Sequence, residues 1–276
     1  MAQRRSGSTF TFVGALLLGA AIFALVMVVM GTRLDRDFSP APATSLEVER
    51  QDIAALAHSV SHANDAELAA FGTAWSQALG GVWVSWPSGA PAGYTNPPTP
   101  SVPAGEVHET LRQLADRALG SSLGPVATSM GISSLTLGAE TDEQCGAVDL
   151  ATVARALNTG VAVTNIETAR QWLEWQAASL PPADRKAPLT RVDELSNLID
   201  GQLSAGAPDT RPAIAPEPAD ANHTASAYRV LVNQLAFSAT SADTSGRRAI
   251  ASFVCHLHKY ADAPAIDALP GITADK

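Results

Sequence analysis

The sequence predicts a mainly α-helical protein, with one N-terminal transmembrane helix followed by an irregular helical-bundle extracytoplasmic domain with long Pro-rich loops. Three observations predict it. An unbroken apolar run covers 10–30. Beyond it, apolar positions recur at helical spacing behind repeated capping residues. No strand–helix alternation and no repeat period stands out. The predicted organisation is a cytoplasmic tail at 1–9, the membrane helix at 10–30, a linker at 31–44, a helical domain at 45–263 and a C-terminal tail at 264–276.

The first element is the anchor. No charge occurs between Arg5 and Arg33, and the run from Phe10 to Met30 has no polar face. Roughly 20 such residues cross a hydrocarbon core of about 30 Å, so the run has the length of a span. A cleavable signal peptide carries a shorter apolar region of about 7–15 residues, closely followed by a small-x-small site. Here the nearest such site, Ala41-Pro42-Ala43, lies beyond Arg33, Asp35 and Arg36. An uncleaved anchor is therefore expected. Arg4 and Arg5 before the helix match Arg33 and Arg36 after it, and the N-terminal amine tips the count toward an N-terminus inside and a domain outside. The expected location is the plasma membrane, single-pass, with the bilayer itself as a partner through 10–30.

Helices are then predicted in turn. Thr44 or Ser45, with Glu47, caps a helix whose apolar positions are Leu46, Ile53, Leu56, Ala57 and Val60. Asn64 with Glu67 opens another at 65–79. Six prolines in 82–103 forbid helix and most sheet ladders there. Glu106 to Leu119 resumes a helix, with Gly120 as its C-cap. Two apolar runs, Val126 to Met130 and Ile132 to Leu137, read as a small hairpin around Gly131. Helices follow at 147–158, at 165–180 behind Thr164, and from Thr190 to Leu203. A Pro-rich loop at 207–218 precedes the last two, at 222–240 and 246–261.

Composition narrows the function. Residues 1–36 hold four of the 18 basic and one of the 27 acidic side chains, so the rest carries 14 and 26, a net of −12. Such a domain repels nucleic acid and anionic lipid headgroups, and no nucleic-acid partner is expected. Arginine does most of the basic work and alanine is abundant, a bias typical of GC-rich bacterial genomes. The two cysteines, Cys145 and Cys255, both lie beyond the anchor and are expected to form a disulfide after export. Closing that loop of about 110 residues is worth about 4–5 kcal/mol in the chain-entropy model.

Several side chains suggest chemistry. His58 and His62, four residues apart, with Asp65 after them, could offer two imidazoles and a carboxylate to one transition-metal ion. Asn64 stands between the ligands and threatens the shared helix face. Gly120-Ser121-Ser122-Leu123-Gly124 matches the G-x-S-x-G nucleophile elbow, which needs a strand before Ser122 and a helix after it. A helix is expected before it and Pro125 follows. His256 and His258 flank Leu257 and point about 160° apart on a helix, so they cannot share a metal. No P-loop, dinucleotide fingerprint, paired-Cys zinc pattern, EF-hand or Glu-x-x-His pair occurs. Asn222-His223-Thr224 is a formal glycosylation sequon without meaning in a bacterial chain.

Aromatic side chains point to binding instead. On the 165–180 helix the apolar stripe is Ile166, Ala169, Leu173, Ala177 and Leu180, with Trp172 at its edge and Trp175 nearly opposite. Trp83, Trp86 and Tyr94 lie in the first Pro-rich loop. Such residues anchor protein partners or sit at membrane interfaces. The expectation is a non-catalytic envelope protein that binds or organises another protein, as an accessory subunit of a membrane complex and without a cofactor. The alternative is a metal-binding protein or metalloenzyme built on His58, His62 and Asp65, and a serine hydrolase comes third.

Overall fold

The computed structural model describes residues 8–29, 39, 41–96, 106–218 and 221–272. Among them stand ten α-helices, two short 3₁₀ turns and no strand. The chain forms two compact units, Met1–Pro42 with Ser85–Thr95 and Ala43–Val84 with Asn96–Lys276.

The first unit contains α1 (Ser8–Val29). Its side chains are described over 13–28, where Leu16, Leu17, Leu18, Phe23 and Leu25 are all exposed. Among the described residues no helix is long and apolar enough to cross a membrane. The crossing expected at 10–30 therefore rests on the sequence. Trp86 and Tyr94, in the other part of this unit, meet with ring centroids 5.1 Å apart.

The second unit is a helical bundle with two apolar cores. The first joins α2 (Ser45–Val60), α3 (Ala66–Ala78) and α4 (Val107–Gly120) around Ile53, Val60, Trp75, Leu111 and Leu114. Thr44 caps α2 by accepting from the Glu47 N–H at 3.2 Å. The cap of α3 is Asp65, one residue beyond the predicted Asn64, and its carboxylate accepts from the Glu67 and Leu68 N–H groups. Gly72 lets α2 and α3 touch: a Cβ there would lie 2.3 Å from the Ser61 nitrogen. Gly120 belongs to α4, and Ser121 takes its place as the C-cap.

The hairpin predicted around Gly131 does not form. In its place α5 (Pro125–Gly138) runs through the centre of the unit, with ten of its residues buried. The apolar runs on both sides of Gly131 misled because this helix is covered all round, so no polar face breaks them up. Gly131 is a contact point rather than a turn, since a Cβ would meet Leu119 Cγ at 2.7 Å. The buried hydroxyls of Ser133, Ser134 and Thr136 donate to carbonyls three or four residues earlier, which keeps polar side chains tolerable inside a core. The N-cap is Gly124, whose φ of +84° suits glycine, and Pro125 opens the first turn.

The second core lies on the other side of α5. It gathers α6 (Leu150–Ala156), α7 (Gly160–Ser179), α8 (Lys186–Ser204), α9 (His223–Ala239) and α10 (Thr244–Leu257) around Ile132, Ile166, Leu195, Leu231 and Phe253. Asn222 and Asp243 cap α9 and α10. The caps predicted at Thr164 and Thr190 are interior residues. Thr159 opens α7 five residues earlier, and α8 begins at Lys186 behind Arg185, which donates to the Leu180 and Ala178 carbonyls.

Residues 264–272, predicted as part of a tail, are strapped to the bundle. The Ala268 carbonyl accepts from Trp75 Nε1 at 2.7 Å and from Ser133 Oγ at 2.8 Å, and the Pro270 carbonyl from Ser129 Oγ at 2.6 Å. The Cys145–Cys255 disulfide is formed, joining the 3₁₀ turn Asp142–Cys145 to α10.

Candidate functional site

The site is built on α7. Ile166, Ala169, Leu173 and Ala177 bury one face of this helix in the second core, as their spacing predicts. Trp172, at the edge of that stripe, is 8% exposed, whereas Trp175 points away from it and is 59% exposed. The Trp175 ring stacks on His223 at 5.3 Å between centroids.

The Pro-rich loop 207–218 lies along α7. Gln171 clamps it from both sides, donating from Nε2 to the Pro212 carbonyl at 3.0 Å and accepting from the Ala215 N–H at 2.7 Å. Trp172 Nε1 donates to the Pro216 carbonyl at 2.8 Å. Thr164 Oγ1 donates to the Thr210 carbonyl at 2.9 Å. Together α7 and this strap enclose an open groove of about 780 Å³. Ile214, 85% exposed, faces it from the strap, and Trp175 faces it from the helix.

The charged groups of the groove satisfy one another. Arg170 makes a bidentate pair with the buried Glu167 and reaches Glu174 at 3.0 Å, and Arg211 pairs with Asp209 at 2.7 Å. Burial works against the Glu167 charge, but Arg170 and Gln171 outweigh it and hold the carboxyl below its usual range. The hydrogen bonds that Arg170 donates to Glu167 raise the Arg170 pKa, and those that Arg211 donates to Asp209 lower the Asp209 pKa.

The other predicted site residues are placed differently. His58 and His62 approach with ring centroids 4.6 Å apart, and burial lowers the His58 pKa. Asp65 is occupied as the α3 cap, and His62 Nδ1 lies 2.9 Å from the His58 carbonyl. Among the described residues no group of three or more His, Cys, Asp or Glu could hold a metal ion. Ser122 stands between α4 and α5, so the strand that a nucleophile elbow needs is missing, and its hydroxyl donates to Glu49 at 2.9 Å. Trp83 is 46% exposed, its backbone N–H held by Gln51.

Two polar networks had no local sequence signal. Arg191, 1% exposed, pairs with Asp262 through two hydrogen bonds, donates to Tyr228 Oη and lies over the Tyr260 ring at 4.8 Å. His256 lies between Asp142 at 2.7 Å and Glu194 at 3.3 Å. His258, two residues on, is turned inward, with Nδ1 2.8 Å from the Val254 carbonyl. The contrasting fates of the two histidines follow from their opposite directions on α10.

No protein-family model, curated protein or solved structure matches this chain.

Proposed function

We propose that this chain is a membrane-anchored, non-catalytic docking protein of the bacterial envelope, which holds another protein in the groove between α7 and the 207–218 strap. The observation that carries the reading is the pairing of Trp175 and Ile214. Both are large, apolar and exposed, and they face one groove. Binding interfaces concentrate such residues at their centres, with tryptophan foremost. The scaffold beneath is fixed by the buried stripe of α7 and by the hydrogen bonds of the strap.

The anchor is α1. Its support is the uncharged sequence from Ser6 to Thr32 and the exposed apolar side chains of the helix formed there. Placement of the domain outside is supported by the cysteine pair and by a net charge that disfavours nucleic acid and anionic lipid.

The test combines membrane extraction with site-specific photocrosslinking. A crosslinker at Ile214 in the full chain should give a discrete adduct that disappears with Trp175→Ala, and the protein should resist alkaline carbonate. Release by carbonate would remove the anchor. A full chain with no adduct, or an adduct indifferent to Trp175→Ala, would remove the docking groove.

A further inference from the structure

We propose that the loop 85–95 lies in the headgroup layer of the bilayer beside the end of α1, a lipid-contacting surface built on Trp86 and Tyr94. The proposal rests on the anchor reading above and adds a second membrane contact to it.

The loop makes its own geometry. Two turns follow one another, closed by hydrogen bonds from the Gly89 N–H to the Trp86 carbonyl at 3.0 Å and from the Tyr94 N–H to the Pro91 carbonyl at 3.1 Å. Pro87 and Gly89 take the second and fourth positions of the first turn, where their types are favoured. Gly93, with φ of +87°, takes the third position of the second, which calls for a left-handed residue in a type II turn. Trp86 opens the first turn and Tyr94 closes the second, and their half-buried rings meet at 5.1 Å between centroids. A Cβ at Gly89 or Gly93 would meet no atom of the described residues within 4 Å, so the turns stand clear of them.

Continuity with the anchor sets the height of the loop. Residues 85–95 and α1 belong to one compact unit, although α2 and α3 intervene in the sequence. The described side chains of α1 are exposed at 13–26 and 28, and Met27, near the C-terminal end, is half-buried. That end is the one the anchor reading sets at the outer face of the bilayer. Trp and Tyr rings are favoured at this level, with the apolar body toward the acyl chains and the polar edge toward water.

Charge favours lipid as the occupant. No Asp, Glu, Lys, Arg or His occurs from Leu68 to Gly105, in a chain with 18 basic and 27 acidic side chains. The net of −12 beyond the anchor is carried entirely outside this stretch, and an acidic surface is pushed away from anionic headgroups. The charge-free stretch can enter the headgroup layer without setting a charged side chain against acyl chains. Its two turn hydrogen bonds, and prolines that have no N–H, reduce the backbone groups that need water. The carbonyls that remain hold it in the hydrated layer, outside the hydrocarbon.

The test measures depth in the full chain, reconstituted into phosphatidylcholine vesicles. A nitrobenzoxadiazole label is attached at Ser88→Cys in the loop or at Ala20→Cys in α1. The native cysteines are buried and bonded to each other, so they do not react. Lipids carrying a nitroxide on the headgroup or deep in the acyl chain quench the label according to its depth. The Ala20 label should be quenched more from the deep position and the Ser88 label more from the headgroup. Trp86→Ala with Tyr94→Ala should remove most of the headgroup quenching at Ser88. Ala92→Asp should do the same, because it keeps both rings and sets a charge in the layer. Circular dichroism should be unchanged throughout. A Ser88 label quenched by neither lipid, or more strongly from the deep position, overturns the proposal, and so does headgroup quenching indifferent to both changes. The anchor is judged separately. An Ala20 label quenched from the deep position beside a Ser88 label in water keeps the anchor, rejects the lipid contact and leaves the loop to a protein partner. An Ala20 label quenched by neither lipid removes the anchor and the proposal with it.

Discussion

Removing the Cys145–Cys255 disulfide should cost the helical bundle between about a third and nearly all of a typical domain's stability. The bond joins residues 110 apart in sequence, with Cα atoms 5.5 Å apart. For a loop of that size the chain-entropy relation gives about 16 cal/mol/K, or about 4.8 kcal/mol at 25 °C, against a usual total of about 5–15 kcal/mol. Both cysteines are buried, beside Ala139 and Leu135. A Cys145→Ala/Cys255→Ala variant therefore adds a small void worth about 1 kcal/mol. For a domain of this size the sum lowers the midpoint of thermal unfolding by about 10–20 °C. The assay is urea unfolding of the full chain in detergent, followed by far-ultraviolet circular dichroism, with and without reductant. Reductant should destabilise the wild type and leave the double variant unchanged. A double variant within about 1 kcal/mol of the oxidised wild type would refute the loop-entropy argument. Recovery of two free thiols from native membranes would refute the export argument as well.

Further predictions concern the scaffold. Gly72→Ala should cost about 3 kcal/mol, because its Cβ meets backbone atoms of α2 at 2.3–2.8 Å; an unchanged urea midpoint would contradict the close crossing. Asp262→Ala should destabilise more than Arg191→Met, since the first leaves a buried guanidinium without its carboxylate and the second replaces it with an apolar side chain; thermal midpoints in the reverse order would count against this network. His256 of α10 and His258, its C-cap, should give opposite pH dependences. Burial opposes the charge on His256, but Asp142 and Glu194 overcome it and raise its pKa above 6.5. Its stabilisation is thus complete below that value and lost as pH rises through the folded pKa, so His256→Gln should cost more near pH 6 than near pH 8. Burial lowers His258, whose proton uptake in the unfolded chain erodes stability as pH falls below 6.5, so His258→Gln should flatten that acid-side loss. Urea midpoints across that range decide both.

The helices with a one-sided apolar stripe were legible in the sequence, and those without one were not. In α4, Leu111, Leu114 and Ala118 recur on one face, and the structure buries that face. In α5 no polar face survives, because cores lie on both sides, and a period of 3.6 has nothing to contrast with. Its buried serines and threonines bond back to their own helix. Caps were displaced where two candidates stood close together. Asp65 outcompetes Asn64, and Thr159 precedes Thr164, which spends its hydroxyl on the strap instead.

The site was half legible for a related reason. The outward direction of Trp175 follows from the α7 periodicity, because it is a property of one helix. The groove does not, because its other wall is Ile214, on a loop whose sequence says only that it is neither helix nor strand. The same holds for Arg191 with Asp262 and His256 with Asp142, which are 71 and 114 residues apart. What links Trp175 to the proposed docking role is the cost of leaving it outside. The chain has five tryptophans, and Trp75 and Trp172 show that its cores can bury the ring and satisfy its N–H. Trp175 is left in water over more than half its surface, so Trp175→Ala should leave the unfolding midpoint almost unchanged. A side chain that adds little to the fold and stands ready on a rigid helix beside a fixed strap is already arranged for contact, and a partner that covers it gains the burial the fold forgoes.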